Sequence, residues 1–197
     1  MWACEQYNPR GKRCLLGYCN YNLRIEDGSC MGELMYKSIK IKTLTVAGKE
    51  PALRAMRLPM EGRKEKTDTM ALAKALVKRG SDHAKFTRGI VVWAEMWFQV
   101  GWMIEFETYR HGKETLSTSS AMHVDLRGLE GEALAEQKQR DLPNKVYHRI
   151  GTFSYQVLRK IYIERRRHHH LDWQIFCDWI ETLPDFDTLI MPEKNNG

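Results

Sequence analysis

The chain carries neither a GxxxxGK nor a GxGxxG pattern, so it has no P-loop and no Rossmann fingerprint for holding phosphate. Its opening, MWACEQYNPRGKRC, has no apolar core, and no secretory signal is expected from it. The longest apolar run, GIVVWAEMWFQVGWMI (89–104), is short for a membrane span and contains Glu95 and Gln99. It is expected to be core, and the protein soluble, with no membrane partner. Close CxxC pairs are missing too. Cys4, Cys14, Cys19 and Cys30 are separated by nine, four and ten residues, which favours plain thiols with no metal over a zinc knuckle, a zinc-stabilised nucleic-acid module on these four being the more remote reading. With Cys177 the cysteine count is five, an odd number that points to a reducing, cytoplasmic compartment. There are no internal repeats.

What is present suits a single globular domain. In 197 residues, 43% are hydrophobic, enough for a sizeable core. The net charge of +6 favours anionic partners: nucleotides, nucleic acid or phosphate-bearing cofactors.

Along the chain, residues 1–36 form an irregular Cys-containing segment, and residues 37–190 a folded domain. SIKIKTLTV (38–46) alternates like a strand. PALRAMR (51–57) places Pro51 at a first helical turn. EGRKEK (61–66) is expected to be a solvated loop. TDTMALAKALVKRG (67–80) is a helix capped by Thr67 or Asp68 and stopped by Gly80. The 89–109 run is expected to be a strand followed by a buried helix. GLEGEALAEQKQRDLP (128–143) reads as a helix ended by Pro143. From 147 to 167, Phe153, Val157 and Ile161 step as on a helix. Trp173, Phe176, Cys177 and Ile180 share one face of another helix, ended by Pro184. Two helices are therefore expected between Leu142 and Leu183, joined near His168–Leu171.

Two stretches carry candidate chemistry. In FETYRHGKETLSTSSAMHVD (106–125), Arg110 and His111 precede the hydroxyls of Thr115, Ser117, Thr118, Ser119 and Ser120. A loop holding a phosphorylated ligand is one reading, since guanidinium forks and hydroxyls both donate to phosphate oxygens. An ordinary polar turn is the other. A Ser–His pairing would draw on His83, His111 or His123, with nothing in the sequence to fix its geometry. In ERRRHHH (164–170), adjacent helical histidines would point about 100° apart, too far to converge on one metal. At spacings of four and seven, Arg166, His170 and Trp173 are expected to share one stripe, with Arg167 and His168 looking elsewhere. The bland reading of that stretch is a basic solvated helix anchored by Trp173.

Together these segments resemble the flavin-dependent thymidylate synthases, the ThyX family, whose signature is RHRxxSxNExSxRY. RHGKETLSTSSAMH (110–123) occupies it, with Arg110, His111 and Ser120 matching. ALVKRGSDHAKF looks like the family's upstream helix and Gly-His stretch, with Asp82 or His83 at the histidine. Downstream, Leu142-Pro143, Tyr147, Arg149, Arg166, His170 and Trp173 fall in one ungapped register. The resemblance covers roughly residues 44–182.

It implies an α+β fold with an antiparallel sheet packed by long helices. It implies a homotetramer whose flavin and dUMP sites draw on several subunits, and the reductive methylation of dUMP. NADPH would reduce FAD, and methylenetetrahydrofolate would supply the carbon. Arg166 would be the catalytic residue, contacting the pyrimidine and favouring its ionised form, because a fixed cation lowers the pKa of a nearby ring nitrogen. Arg149 and Ser120, with Ser119, would meet the nucleotide and its phosphate. Arg110, His111, His83 and His170 would line the cofactor site. The chain departs from the pattern as well. The signature's second Arg is Gly112, its Asn and Glu are Ser117 and Thr118, and its last Arg-Tyr is Met122-His123. Two flavin-holding helix positions, an Asn and an Arg in the family, are Tyr155 and Val157. A catalytically idle nucleotide- or nucleic-acid-binding protein on the same fold is the alternative.

Overall fold

The computed structural model describes residues 38–60, 68–120 and 126–192. The N-terminal cysteines, the 61–66 loop, Met122 and His123 lie outside them. All the described residues belong to one compact unit, Ser38–Gly197.

Its centre is a four-stranded antiparallel sheet, order β1-β2-β4-β3, formed by β1 (Lys40–Ala47), β2 (Val91–Gln99), β3 (Lys113–Thr118) and β4 (Val146–Ser154). The helices are α1 (Lys49–Arg57), α2 (Thr69–Lys78), α3 (Val100–Phe106), α4 (Gly131–Asp141), α5 (Tyr155–Arg165) and α6 (Leu171–Glu181). A single π-turn, Phe186–Ile190, closes the described chain. The fold class is α+β. No helix among the described residues is long and apolar enough to cross a membrane.

Local sequence explains most of these elements. Asp68 caps α2, its carboxylate accepting from the backbone N–H of Met70 (3.1 Å) and Ala71 (3.0 Å). β2 alternates strictly: Val92, Ala94, Met96 and Phe98 are buried, while Val91, Trp93, Glu95, Trp97 and Gln99 are half-buried on the other face. The strand passes directly into α3, as the 89–109 run leads one to expect. Trp102 and Phe106 of α3 then join Phe153, Trp173, Phe176 and Trp179 in an aromatic cluster between the inner sheet face and α6. Inside it, the Trp102 Nε1–H has no hydrogen-bond partner among the described residues.

Three expectations are corrected. Residues 146–154 are strand, not helix; α5 begins only at Tyr155, with the Ser154 hydroxyl as its cap on the Val157 N–H (3.3 Å). The hydroxyl stretch is neither loop nor turn over 113–118 but strand β3, at the edge of the sheet among the described residues. The Arg166–His170–Trp173 stripe does not exist on one helix. α5 stops at Arg165, and His170 is the cap of α6, its Nδ1 accepting from the Asp172 N–H at 3.2 Å. The junction itself falls where expected, near His168–Leu171.

One buried contact ties β1 to α6, far apart in the chain. The Ile39 N–H, just before β1, donates to Asp172 Oδ1 at 2.9 Å, and Asp172 is 2% exposed. Asp172→Ala would leave that amide buried without an acceptor and should cost about 1–3 kcal/mol. Asp172→Asn keeps an acceptor oxygen and should cost less. Urea midpoints of the three proteins check the order; equal midpoints for Ala and wild type would refute it.

Candidate functional site

The most built polar site lies between the end of α3 and the paired strands β3 and β4. Lys113 and Arg149 both point to the inner face, where apolar side chains are the norm, and they are 9% and 8% exposed. Both converge on Glu107, just after α3. Lys113 Nζ donates to Glu107 Oε2 at 2.6 Å, and Arg149 Nη1 donates to Glu107 Oε1. Arg149 also donates from Nε to Thr118 Oγ1 (2.9 Å), and its Nη2 contacts Met103 Sδ (3.4 Å). The Phe98 ring lies 5.1 Å from the guanidinium carbon, and the Phe106 ring 4.8 Å from the ammonium. Burial would push the Glu107 carboxyl up. The Lys113 and Arg149 hydrogen bonds and charges outweigh it and hold the group below its ordinary value.

Arg166 sits elsewhere, at the end of α5. It donates to Asp178 Oδ1 (2.5 Å) and pairs with Glu181 Oε1 (3.2 Å), and its guanidinium lies 5.9 Å from the Tyr162 ring centre. Burial would lower its pKa, but the Asp178 bond and the Glu181 charge raise it. Arg166 and Arg149 share none of these partners within the chain. Arg110 and His111 are exposed in the bend before β3, and His83 is exposed in the turn after α2. Ser119 extends the β3–β4 ladder: its N–H donates to the His148 carbonyl (2.7 Å), and its hydroxyl accepts from the His148 N–H (3.0 Å). Ser120 follows it, exposed.

Sequence reasoning missed Lys113 and Glu107. The available signal was parity: once 113–118 is a strand, Lys113 sits across from the buried Phe153 and must face inward. It missed a second network as well. The Tyr109 hydroxyl donates to Glu164 Oε2 (2.8 Å) and accepts from Arg165 Nε (2.9 Å). Arg165 and Trp173 Nε1 both donate to Glu105 Oε2 (3.3 and 2.8 Å). Burial raises the Tyr109 pKa, with Arg165 opposing and Glu164 reinforcing.

Two of the departures from the signature meet in space. Gly112 has φ +82°, and a Cβ there would lie 2.8 Å from Ser154 Oγ and 3.1 Å from Val157 Cβ. The left-handed backbone and the close approach both exclude an arginine at 112. Val157 is 5% exposed and Tyr155 1%, the Tyr155 hydroxyl donating to the Pro184 carbonyl at 2.8 Å. Positions 112, 155 and 157 thus present no free polar group. These residues do not fit a flavin held as the resemblance implies.

A pocket of about 160 Å³ lined by Val46, Lys49, Ile90, Tyr155, Pro184, Asp185 and Leu189 is small beside the roughly 300–1,000 Å³ of ordinary small-molecule sites.

No family model matches the chain, and no curated protein matches it in sequence. Solved structures do match in fold. A flavin-dependent thymidylate synthase ThyX from Helicobacter pylori, complexed with FAD and dUMP, aligns over 78% of this chain and 98% of its own, with TM-score 0.57 and 12% identity. A second structure of Thymidylate Synthase X from Helicobacter pylori with FAD and dUMP gives TM-score 0.56 and 13% identity over the same shares. The chain has a ThyX-like fold; at this identity the likeness is one of fold.

Proposed function

We propose that this chain binds a pyrimidine nucleotide monophosphate on its ThyX-like fold, with Arg149 serving the phosphate and Arg166 the base. The observation that carries the reading is the convergence of two buried cations, Arg149 and Lys113, on one carboxylate at the mouth of the sheet. Buried cations in excess of their counter-charges are a place for an anion. The fold's solved neighbours hold dUMP, which names the first anion to try. Ser119 and Ser120 follow the strand that carries Lys113 and Thr118, beside Arg149, and belong to the same proposal.

The site is completed between copies in a homotetramer. Arg149 and Arg166 have separate partners within one chain, so a second copy has to bring the base-binding arginine to the phosphate-binding one. The compartment is the cytoplasm, where nucleotide monophosphates are available.

The fuller reading is a flavin-dependent enzyme that methylates, or otherwise modifies, the pyrimidine at C5. What favours it is that both solved neighbours hold FAD as well as dUMP. NADPH and methylenetetrahydrofolate would be its co-substrates. Arg110, His111, His83 and His170 would supply the flavin contacts, since positions 112, 155 and 157 do not. Arg166 would act as a fixed cation beside the pyrimidine ring, stabilising its anionic form.

Calorimetric titration of dUMP, with absorbance spectra before and after FAD, tests both readings. Saturable dUMP binding that weakens in Arg166→Lys supports the nucleotide site, because an ammonium cannot reproduce the planar guanidinium fork. A bound-flavin spectrum after gel filtration supports the enzyme. No binding of any pyrimidine nucleotide, with or without FAD, refutes the nucleotide reading.

A further inference from the structure

The anion site between β3, β4 and α3 is already filled by the chain itself. We propose that the Glu107 carboxylate is a built-in competitor for the nucleotide phosphate, and that the phosphate displaces it to lie between Arg149 and Lys113. This rests on the nucleotide-binding reading above. It adds Lys113 as a second phosphate ligand and Glu107 as a specificity-setting latch.

Charge is the first argument. Two cations face one carboxylate, and around it Arg149 and Lys113 meet a hydroxyl, a thioether and two phenyl rings. One positive charge is left over. A phosphate monoester carries about −1.5 to −2 at neutral pH and matches both cations, as a carboxylate does not.

Mobility is the second. The side chains of Lys113 and Arg149 are 7% and 9% exposed, walled by Phe106 and Phe98, and project from two paired strands. They cannot leave. The Glu107 side chain is 42% exposed and follows the last residue of a helix, so it swings into solvent without disturbing the core.

Geometry is the third. Glu107 offers one oxygen to each cation, Oε1 to Arg149 and Oε2 to Lys113. Two oxygens of a phosphate present the same bidentate bridge. The latch also sets a preference: ligands with one negative charge gain little over Glu107, and dianionic ones gain most.

The test uses the full chain, with dUMP, inorganic phosphate and deoxyuridine as probes in calorimetry. Glu107→Gln, which removes the competing charge and keeps the shape, should tighten dUMP about tenfold and inorganic phosphate in the same direction. Deoxyuridine should be unchanged. Lys113→Met, which keeps an apolar stem beside the Phe106 ring, should weaken dUMP about tenfold in an otherwise folded protein. If Glu107→Gln binds dUMP no tighter than wild type, or if Lys113→Met binds it equally well, the latch is overturned while wild-type dUMP binding keeps the nucleotide reading standing. If no protein in the series binds dUMP or phosphate, both fall together.

Discussion

Phe176→Ala should cost about 3–5 kcal/mol of stability. Phe176 is fully buried, and its ring centre lies 5.2–6.3 Å from those of Trp102, Phe106, Phe153, Trp173 and Trp179. Truncation removes the ring's transfer energy and opens a cavity. Five rigid aromatic neighbours, drawn from α3, β4 and α6, cannot collapse into it. For a domain of this size the midpoint of thermal unfolding should fall by on the order of 10 °C. Phe176→Leu should recover most of the loss, since it keeps much of the volume. Scanning calorimetry on the three proteins measures both. A loss below about 1 kcal/mol for the alanine variant would show that this cluster does not organise the core.

The second large effect belongs to Arg149. Arg149→Ala should destabilise the protein by about 2–3 kcal/mol at neutral pH and weaken dUMP ten- to a hundredfold, as loss of a charge-assisted contact does. The stability loss stays below that for breaking a fully buried pair, because Glu107 keeps Lys113 as a partner and is itself partly solvated. Its pH dependence has a definite sign. The Glu107 carboxyl is held below its ordinary value of 4.5 in the folded chain. Its contribution to stability is therefore fully present above that value and is lost as pH falls through the depressed one. Part of that contribution comes from Arg149, so the gap between wild type and Arg149→Ala should narrow on acidification. Urea titrations at about pH 7 and about pH 3 read it directly. A gap that stays constant across that range would detach the destabilisation from the Glu107 pair.

The elements that follow simple periodicity are legible in the sequence. β2 reads correctly because its inner positions are all apolar, and α2 because Asp68 and Gly80 mark its ends. α6 reads correctly because Trp173, Phe176, Cys177 and Ile180 make one buried face. β4 is not legible, and the reason is physical. Its inward positions are Tyr147, Arg149, Gly151 and Phe153. Arg149 is tolerated there because Glu107 pairs with it, Thr118 accepts from its Nε and the Phe98 ring packs against its guanidinium. Gly151 is required because a Cβ would come within 2.8 Å of the Glu114 carbonyl of β3. With a charge and a glycine at core positions the two-residue alternation vanishes. The chance step from Phe153 to Val157 to Ile161 across the Ser154 junction then imitates a helix. β3 hides for the same reason, its inward Lys113 posing as a surface residue. The best polar site in the chain is thus built from the residues that disguise the strands. The signature residues draw attention instead to Arg110 and His111, which are exposed.

Among the described residues β1 and β3 border the sheet, and each breaks step once, β1 between Thr43 and Thr45 and β3 between Thr115 and Ser117. An irregularity of this kind leaves a residue without its ladder partner and bends the strand, spoiling the straight row of donors and acceptors that a foreign strand would copy. Lys40 and Lys42 add charge along the β1 border. Each irregularity thereby disfavours addition of a further chain's strand along β1 or β3, the step by which sheets grow into fibres.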